Sequence, residues 1–250
     1  MNRRFAAAIM ALACVCSLSG CGSHEERASN PKRVQDDGWT AAPRVEAVRL
    51  NGSQATISGV ATPEARVLLR GDEGEAYAVA ADQQGRFEVT ITLADSQVML
   101  RPEILQGQNT VRGPEHLLIL TEPGLAVMQT EGGSSRRLTP GPALDAIDGD
   151  GQALIASGRA RPQDTVRVSV PGRYETAIRV GENGRWAASL AGISDEAVTV
   201  VVDNRAFAYP GPVGDPDAEA AFQLDARGEG WLLTRRLGAE AMLTSWFPQP

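Results

Sequence analysis

The chain has 250 residues, with 24 basic against 31 acidic side chains and a net charge of −7. A negative surface repels phosphate backbones, which excludes nucleic-acid binding as a function class and disfavours adsorption to anionic lipid through a basic patch. Beyond the first twenty residues, no stretch approaches the roughly 20 apolar residues that a membrane-spanning helix requires.

In chain order, Met1-Asn2-Arg3-Arg4 is a basic start, Phe5 to Leu18 is a short apolar run, and small residues then lead into a cysteine. This is the layout of a secretory leader, too short in its apolar part for a permanent span. Its last four residues, Leu18-Ser19-Gly20-Cys21, resemble the lipobox of bacterial lipoproteins at every position. The resemblance implies cleavage before Cys21, a diacylglycerol thioether on its sulfur and an acyl chain such as palmitate on its new amine. Gly22 follows where an aspartate, in lipoproteins of this kind, commonly signals retention in the inner membrane. The expected location is therefore the outer membrane, on its periplasmic face.

Loss of residues 1–20 would leave 22 basic and 31 acidic residues, a net charge of −9. Attachment would then rest on lipid, each buried CH₂ contributing about 0.8 kcal/mol and two or more chains anchoring stably. Cys14 and Cys16 leave with the leader and Cys21 is taken by lipid. No thiol remains for a disulfide, a zinc site or a nucleophile, so the folded part must be held by core burial.

Residues 22–43 are polar and without periodicity, as a flexible tether would be. After them the chain repeats itself. Displaced by 99 positions, Glu46–Arg86 overlies Asp145–Arg185 without a gap, with ten identical pairs of forty-one; roughly three are expected from composition. The pairs include Gly52/Gly151, Gly59/Gly158, Pro63/Pro162 and Gly85/Gly184, which mark turns.

Both copies read as β. Val45–Leu50 and Ala143–Asp148 lead into Asn51-Gly52 and Asp150-Gly151, which predict tight hairpins with positive φ at both residues of each pair. Gln54–Ala61 and Ala153–Ala160 follow. Val67 and Leu69 match Val166 and Val168, and Tyr77–Ala81 matches Thr176–Val180. Phe87, Val89, Ile91 and Leu93 then alternate in one copy, as Trp186, Ala188 and Leu190 do in the other. Between the copies, Glu115–Thr121 and Leu125–Gln129 predict a hairpin across Glu122-Pro123-Gly124 that either completes the first unit or links the two. Past the second, Ala221–Ala226, Trp231–Arg236 and Ala241–Phe247 predict a three-stranded meander.

Gly59-Val60-Ala61-Thr62-Pro63 with Gly85-Arg86-Phe87, and Gly158-Arg159-Ala160-Arg161-Pro162 with Gly184-Arg185-Trp186, are similar to bacterial Ig-like and carboxypeptidase-regulatory-like modules. The resemblance covers about half of the mature chain. It implies β-sandwiches of the kind that serve as spacers, scaffolds or binding surfaces in envelope proteins.

Residues suited to chemistry are few. His24 lies in the tether, as does the only lysine, Lys32. His116 opens a strand and is expected at an edge or half-buried rather than acting as a base. No Gly-x-Ser-x-Gly segment presents a nucleophile, and no phosphate-binding loop occurs. Asp145, Asp148 and Asp150 alternate as calcium ligands can, but their counterparts Glu46, Arg49 and Asn51 put a cation in the middle, which favours a plain hairpin turn. Trp186 aligns with Phe87 as core. Trp231, Trp246 and Phe247 plug the end of the second sandwich or, if exposed in one row, offer stacking surfaces to a partner or a sugar.

The expectation is an all-β protein of two tandem Ig-like β-sandwich domains followed by a short C-terminal β-meander. Its divisions are a leader (1–20), tether (21–43), first domain (44–140), second domain (141–212) and a meander packed on the second domain (213–250). The expected role is a non-catalytic, lipid-anchored envelope scaffold or interaction module, with no cofactor and no metal. Its expected partners are the membrane through Cys21 and another envelope protein. A polysaccharide- or peptidoglycan-binding role and an accessory role in a transport or secretion assembly are the alternatives.

Overall fold

A computed structural model describes residues 41–72, 74–106, 109–212, 222–237 and 241–249. The leader, Cys21 and the tether up to residue 40 lie outside the described residues. The chain is all-β, with antiparallel sheets packed face to face.

The first copy supplies β1 (Arg44–Asn51), β2 (Gln54–Val60), β3 (Arg66–Gly71), β4 (Ala76–Ala80), β5 (Arg86–Thr92), β6 (Gln97–Gln106), β7 (Asn109–Arg112) and β8 (Glu115–Leu120). After it come β9 (Leu125–Thr130) and β10 (Arg136–Arg137). The second copy supplies β11 (Leu144–Gly149), β12 (Leu154–Arg159), β13 (Thr165–Val170), β14 (Tyr174–Arg179), β15 (Arg185–Ser189), β16 (Val198–Val202) and β17 (Arg205–Tyr209). The meander is β18 (Phe222–Arg227), β19 (Gly230–Leu237) and β20 (Ala241–Pro248).

Four sheets result. The first has the order β1-β2-β5. The second runs β10-β9-β8-β6-β3-β4, with β7 also paired to β6. The third is β15-β12-β11-β20-β19-β18 and the fourth β14-β13-β16-β17. The arrangement β1-β2-β5 against β4-β3-β6-β8 recurs strand for strand as β11-β12-β15 against β14-β13-β16-β17. Local detail recurs as well. A register shift falls at Val45/Ala47 in one copy and Leu144/Ala146 in the other, and Glu64 and Gln163 both take positive φ, 61° and 69°.

Three cores separate the four sheets. Val45, Ile57, Phe87 and Ile91 of the first sheet meet Val67, Leu69, Leu100 and Leu117 of the second. Leu144, Leu154, Trp186 and Trp246 of the third meet Val166, Val168, Val200 and Phe207 of the fourth. Between them, Met99, Leu118, Leu120, Leu125 and Val127 meet Ala146, Leu233 and Phe247. Strand pleating makes this third core possible, because successive side chains leave opposite faces. Leu117 and Ile119 point into the first core, while Leu118 and Leu120 point into the middle one. A strand buried on both faces has no polar side, so Leu117-Leu118-Ile119-Leu120 is an unbroken apolar run. The hairpin β8–β9 thus both completes the first sandwich and forms its junction with the next.

The two tight hairpins differ from expectation. Asn51 pairs with Gln54, leaving Gly52-Ser53 as the two-residue loop, and Asp150 donates its N–H to Ala153 O across Gly151-Gln152 at 3.4 Å. Positive φ falls only on the glycines, 58° at Gly52 and 85° at Gly151. Glycine therefore occupies the first central position, as a II′ loop requires, and the turns sit one residue later than predicted.

Candidate functional site

Among the described residues, an extended grouping of polar side chains lies at the margin of the middle core. Asp148 continues the β11 face that carries Ala146 and is 3 % exposed. Its Oδ2 accepts the Ser135 N–H at 2.7 Å, and its Oδ1 accepts the hydroxyls of Ser135 and Ser245, both at 2.6 Å. No cation among the described residues bonds it. Burial pushes its carboxyl up to about 6, against the opposing pull of the Ser135 and Ser245 hydrogen bonds.

The network continues outward. Gln129 Nε2 donates to Ser245 Oγ at 3.0 Å, while Gln129 Oε1 accepts from Arg235 Nη1 at 2.9 Å. Arg235 also bonds Glu131 Oε1 at 3.2 Å and lies against both ring nitrogens of His116, at 3.1 and 3.2 Å. Arg101 donates Nε to His116 Nε2 at 2.9 Å, and its Nη2 lies 2.7 Å from the same atom. These residues come from β6, β8, β9, β11, β19 and β20 and from the segment before β10, so the network ties the second sheet to the third.

His116 is 3 % exposed, which corrects the expectation of an edge or half-buried place. Its strand β8 lies between β6 and β9, away from any sheet edge. Burial, reinforced by the charges of Arg235 and Arg101, drives the imidazole down to about 3. The ring is neutral at physiological pH, and its Nε2 lone pair is taken by Arg101. It reaches Ser245 only through Gln129, so the imidazole is not placed to take a proton from that hydroxyl.

A second polar group lies nearby. Asp145 accepts Arg159 Nε at 2.9 Å and Arg185 Nη1 at 3.2 Å. Burial still leaves its carboxyl above the ordinary value, the arginine charges offsetting part of the cost. Arg137, 1 % exposed, donates Nη2 to Pro248 O, and its Nε has no partner among the described residues. Burial lowers this guanidinium to about 10, opposed by Asp145. Asp150 stands apart and exposed, its Oδ1 accepting the N–H groups of Gln152 and Ala153, both at 2.9 Å. The three aspartates thus turn to three different sets of donors, and among the described residues no group of three or more His, Cys, Asp or Glu side chains is placed to hold a metal.

Trp231, Trp246 and Phe247 do not form an exposed row. Trp246 is 1 % exposed in the outer core, with Nε1 donating to Arg227 O at 3.1 Å. Phe247 is fully buried in the middle core, and Trp231, its cross-strand partner, is half-buried beside it. Adjacent residues on one strand must face opposite ways, so Trp246 and Phe247 divide between two cores. This corrects the stacking-surface reading of the three.

Sequence reasoning did not single out Arg101, Gln129, Ser135, Arg235 or Ser245. One signal was available: Arg101 and Glu103 fall on the same side of β6 as the apolar Met99, which marks that face as partly polar. No protein-family model matches this chain, and no curated protein matches it.

Proposed function

We propose that the protein is a non-catalytic, lipid-anchored component of the bacterial envelope that acts as a scaffold or protein-interaction module. One observation carries the reading. The groups best suited to chemistry, His116, Asp148, Ser135 and Ser245, lie in a buried seam and spend their hydrogen bonds on one another and on joining two sheets. The lipobox Leu18-Ser19-Gly20-Cys21 supplies the anchor, Gly22 the outer-membrane address, and the Ig-like resemblance of the two copies the spacer role.

The test is metabolic labelling with an alkyne palmitate, followed by membrane fractionation. Wild-type protein is expected to carry label and to sediment with the outer membrane, while Cys21→Ala loses the label and appears in the soluble periplasmic fraction. An unlabelled Cys21→Ala protein that stays with the membrane overturns the anchor. Site-specific crosslinking in the intact envelope that traps no envelope protein at any exposed strand overturns the scaffold.

A further inference from the structure

The second sheet is wider than the sheet packed over its outer face. Met99, Leu118, Leu120, Leu125 and Val127 lie beneath the third sheet, whereas Arg66, Ala76, Ala78 and Ala80 of β3 and β4 are exposed. The pleat assigns the side chains of this overhang. Val67, Leu69, Leu100, Ile104 and Val111 point into the first core, so Leu68, Arg70, Arg101, Glu103 and Arg112 occupy the opposite face. Register brings them together: Arg70 is opposite Arg101, Leu68 opposite Glu103, and Glu103 opposite Arg112.

The charges on this face do not balance. Glu103, whose side chain is 1 % exposed, is shared by two arginines: Oε1 accepts Arg70 Nε and Oε2 accepts Arg112 Nε, both at 2.8 Å. An arginine facing a carboxylate ordinarily uses two parallel N–H donors. Here each uses only Nε, and among the described residues the terminal nitrogens of both have no hydrogen-bond partner. These side chains are 45 % and 50 % exposed. Arg101 spends two donors on a single nitrogen of neutral His116, which offsets none of its charge. The neighbouring Arg235 is matched by Glu131. Two guanidinium groups therefore share one carboxylate, with Arg101 opposite Arg70. With Asp72 included, whose charge reaches the neighbouring Arg235, the four arginines face three carboxylates, an excess of one positive charge in a chain whose net charge is −7. Leu68, 6 % exposed, lies on the same face as an apolar floor.

We propose that this overhang is an anion site for a phosphate group, held by the outward N–H donors of Arg70, Arg101 and Arg112. The chemistry favours phosphate over carboxylate. The terminal donors left over on this face outnumber the two oxygens that a carboxylate offers, and planar guanidinium forks suit the three oxygens of a phosphate group. Glu103 sets the spacing of Arg70 and Arg112 from below, and His116 is a positioning residue that orients Arg101 without neutralising it. The negative sign of the whole chain bears on long-range attraction, whereas a local array acts within about a Debye length, roughly 10 Å at 0.1 M salt. The site stands independently of the anchor reading.

A lipid headgroup and a soluble compound both carry such a phosphate, and two arms of one experiment separate these. In the first, the full-length protein is titrated with inorganic phosphate and pyrophosphate at constant ionic strength in chloride, with binding followed by calorimetry and by the NMR signals of the arginine Nε–H groups. Saturable binding is expected, strongest for pyrophosphate, weakening as salt rises. Arg101→Gln and Arg112→Gln should each weaken it by about tenfold, the usual scale for loss of one charge-assisted contact. Arg101→Lys should fall between, and Arg205→Gln in the fourth sheet should change nothing. Circular dichroism checks each variant, and the half-exposed Arg112 provides a substitution outside the apolar cores that leaves Arg70 on Glu103. In the second arm, full-length Cys21→Ala protein is mixed with vesicles of phosphatidylcholine alone or with phosphatidylglycerol. Binding to the anionic vesicles that is lost in Arg112→Gln assigns the site to lipid headgroups; phosphate binding without vesicle preference assigns it to a soluble phosphate compound. Absence of saturable phosphate binding, or equal affinity in wild type, Arg101→Gln and Arg112→Gln, overturns the proposal.

Discussion

In the first copy a Cβ added at Gly59 would lie 2.2 Å from Arg44 O and 2.8 Å from the Phe87 ring; in the second, one added at Gly158 would lie 2.0 Å from Ala143 O and 2.6 Å from the Trp186 ring. The two sandwiches solve the same problem at the same place, an aromatic laid across a bare strand. They differ in what is appended. The first extends its larger sheet with β9 and β10 beside β8, while the second extends its smaller sheet with β20, β19 and β18 beside β11. The repeated strands supply most of two separate cores. The unrepeated additions, packed with the outward faces of β6, β8 and β11, build the third, which joins them.

The largest expected effect tests that division. Phe247 and Trp246 are neighbours on β20, but Phe247 serves the junction and Trp246 the outer core of the second copy. Truncation of either to alanine is expected to cost about 3–5 kcal/mol, the range for large buried aromatics. Their consequences should diverge. Hydrogen exchange in Trp246→Ala should rise across β13 and β16 of the fourth sheet, and in Phe247→Ala across β8, β9 and β19. Matching exchange maps for the two variants would erase the distinction between core and junction.

A somewhat smaller effect tests the equivalence of the copies. Gly59→Ala and Gly158→Ala each force a methyl against a backbone carbonyl and an aromatic ring, neither free to move far. Each is expected to cost about 3 kcal/mol, at the upper end for overpacking. Because the Trp186 contact is closer than the Phe87 contact, Gly158→Ala should be the worse. Chemical denaturation reads both, and a cost below about 1 kcal/mol at either site would mean that copy does not depend on the close approach.

The repeat was readable because both copies keep their turn glycines and their alternation at one fixed offset; β3 and β13, Arg66–Gly71 and Thr165–Val170, lie 99 residues apart at both ends. The double burial of β8 was written in Leu117–Leu120 as an apolar run without alternation. The pleat also forbids Trp246 and Phe247 from sharing a face, which follows from adjacency alone. The polar seam was not readable. His116 and Arg235 are separated by 119 positions and Ser245 and Asp148 by 97, and nothing local marks which strands the stacking of two sandwiches will bring together. Asp145, Asp148 and Asp150 are close in sequence, yet a register shift and a turn send them to different partners, in keeping with the plain hairpin turn that the comparison of the copies favours.

The seam itself supplies the most delicate contrast, between two buried groups with opposite responses to acid. Asp148 rises from 3.8 to about 6 on folding, so its ionised form is penalised in the native state. That penalty, about 3 kcal/mol, is full above pH 6 and gone below about pH 4, so this group adds stability as pH falls. His116 drops from 6.5 to about 3, so the unfolded chain binds its proton first. This group removes stability as pH falls below 6.5, by about 1.4 kcal/mol per pH unit. Between pH 6 and 4 the two slopes oppose and nearly cancel. Asp148→Asn keeps the shape of the site, its oxygen able to accept the Ser135 N–H and its amide able to donate to the two hydroxyls. It should exceed the parent in stability above pH 6 and lose that advantage toward pH 4, exposing the acid sensitivity of His116. His116→Gln retains an acceptor for Arg101 without a titrating ring, and should gain on the parent as pH falls over the same interval. Urea denaturation across pH 4–7 measures both differences, and curves parallel to the parent for either variant would mean that its group does not change protonation affinity when the sheets close.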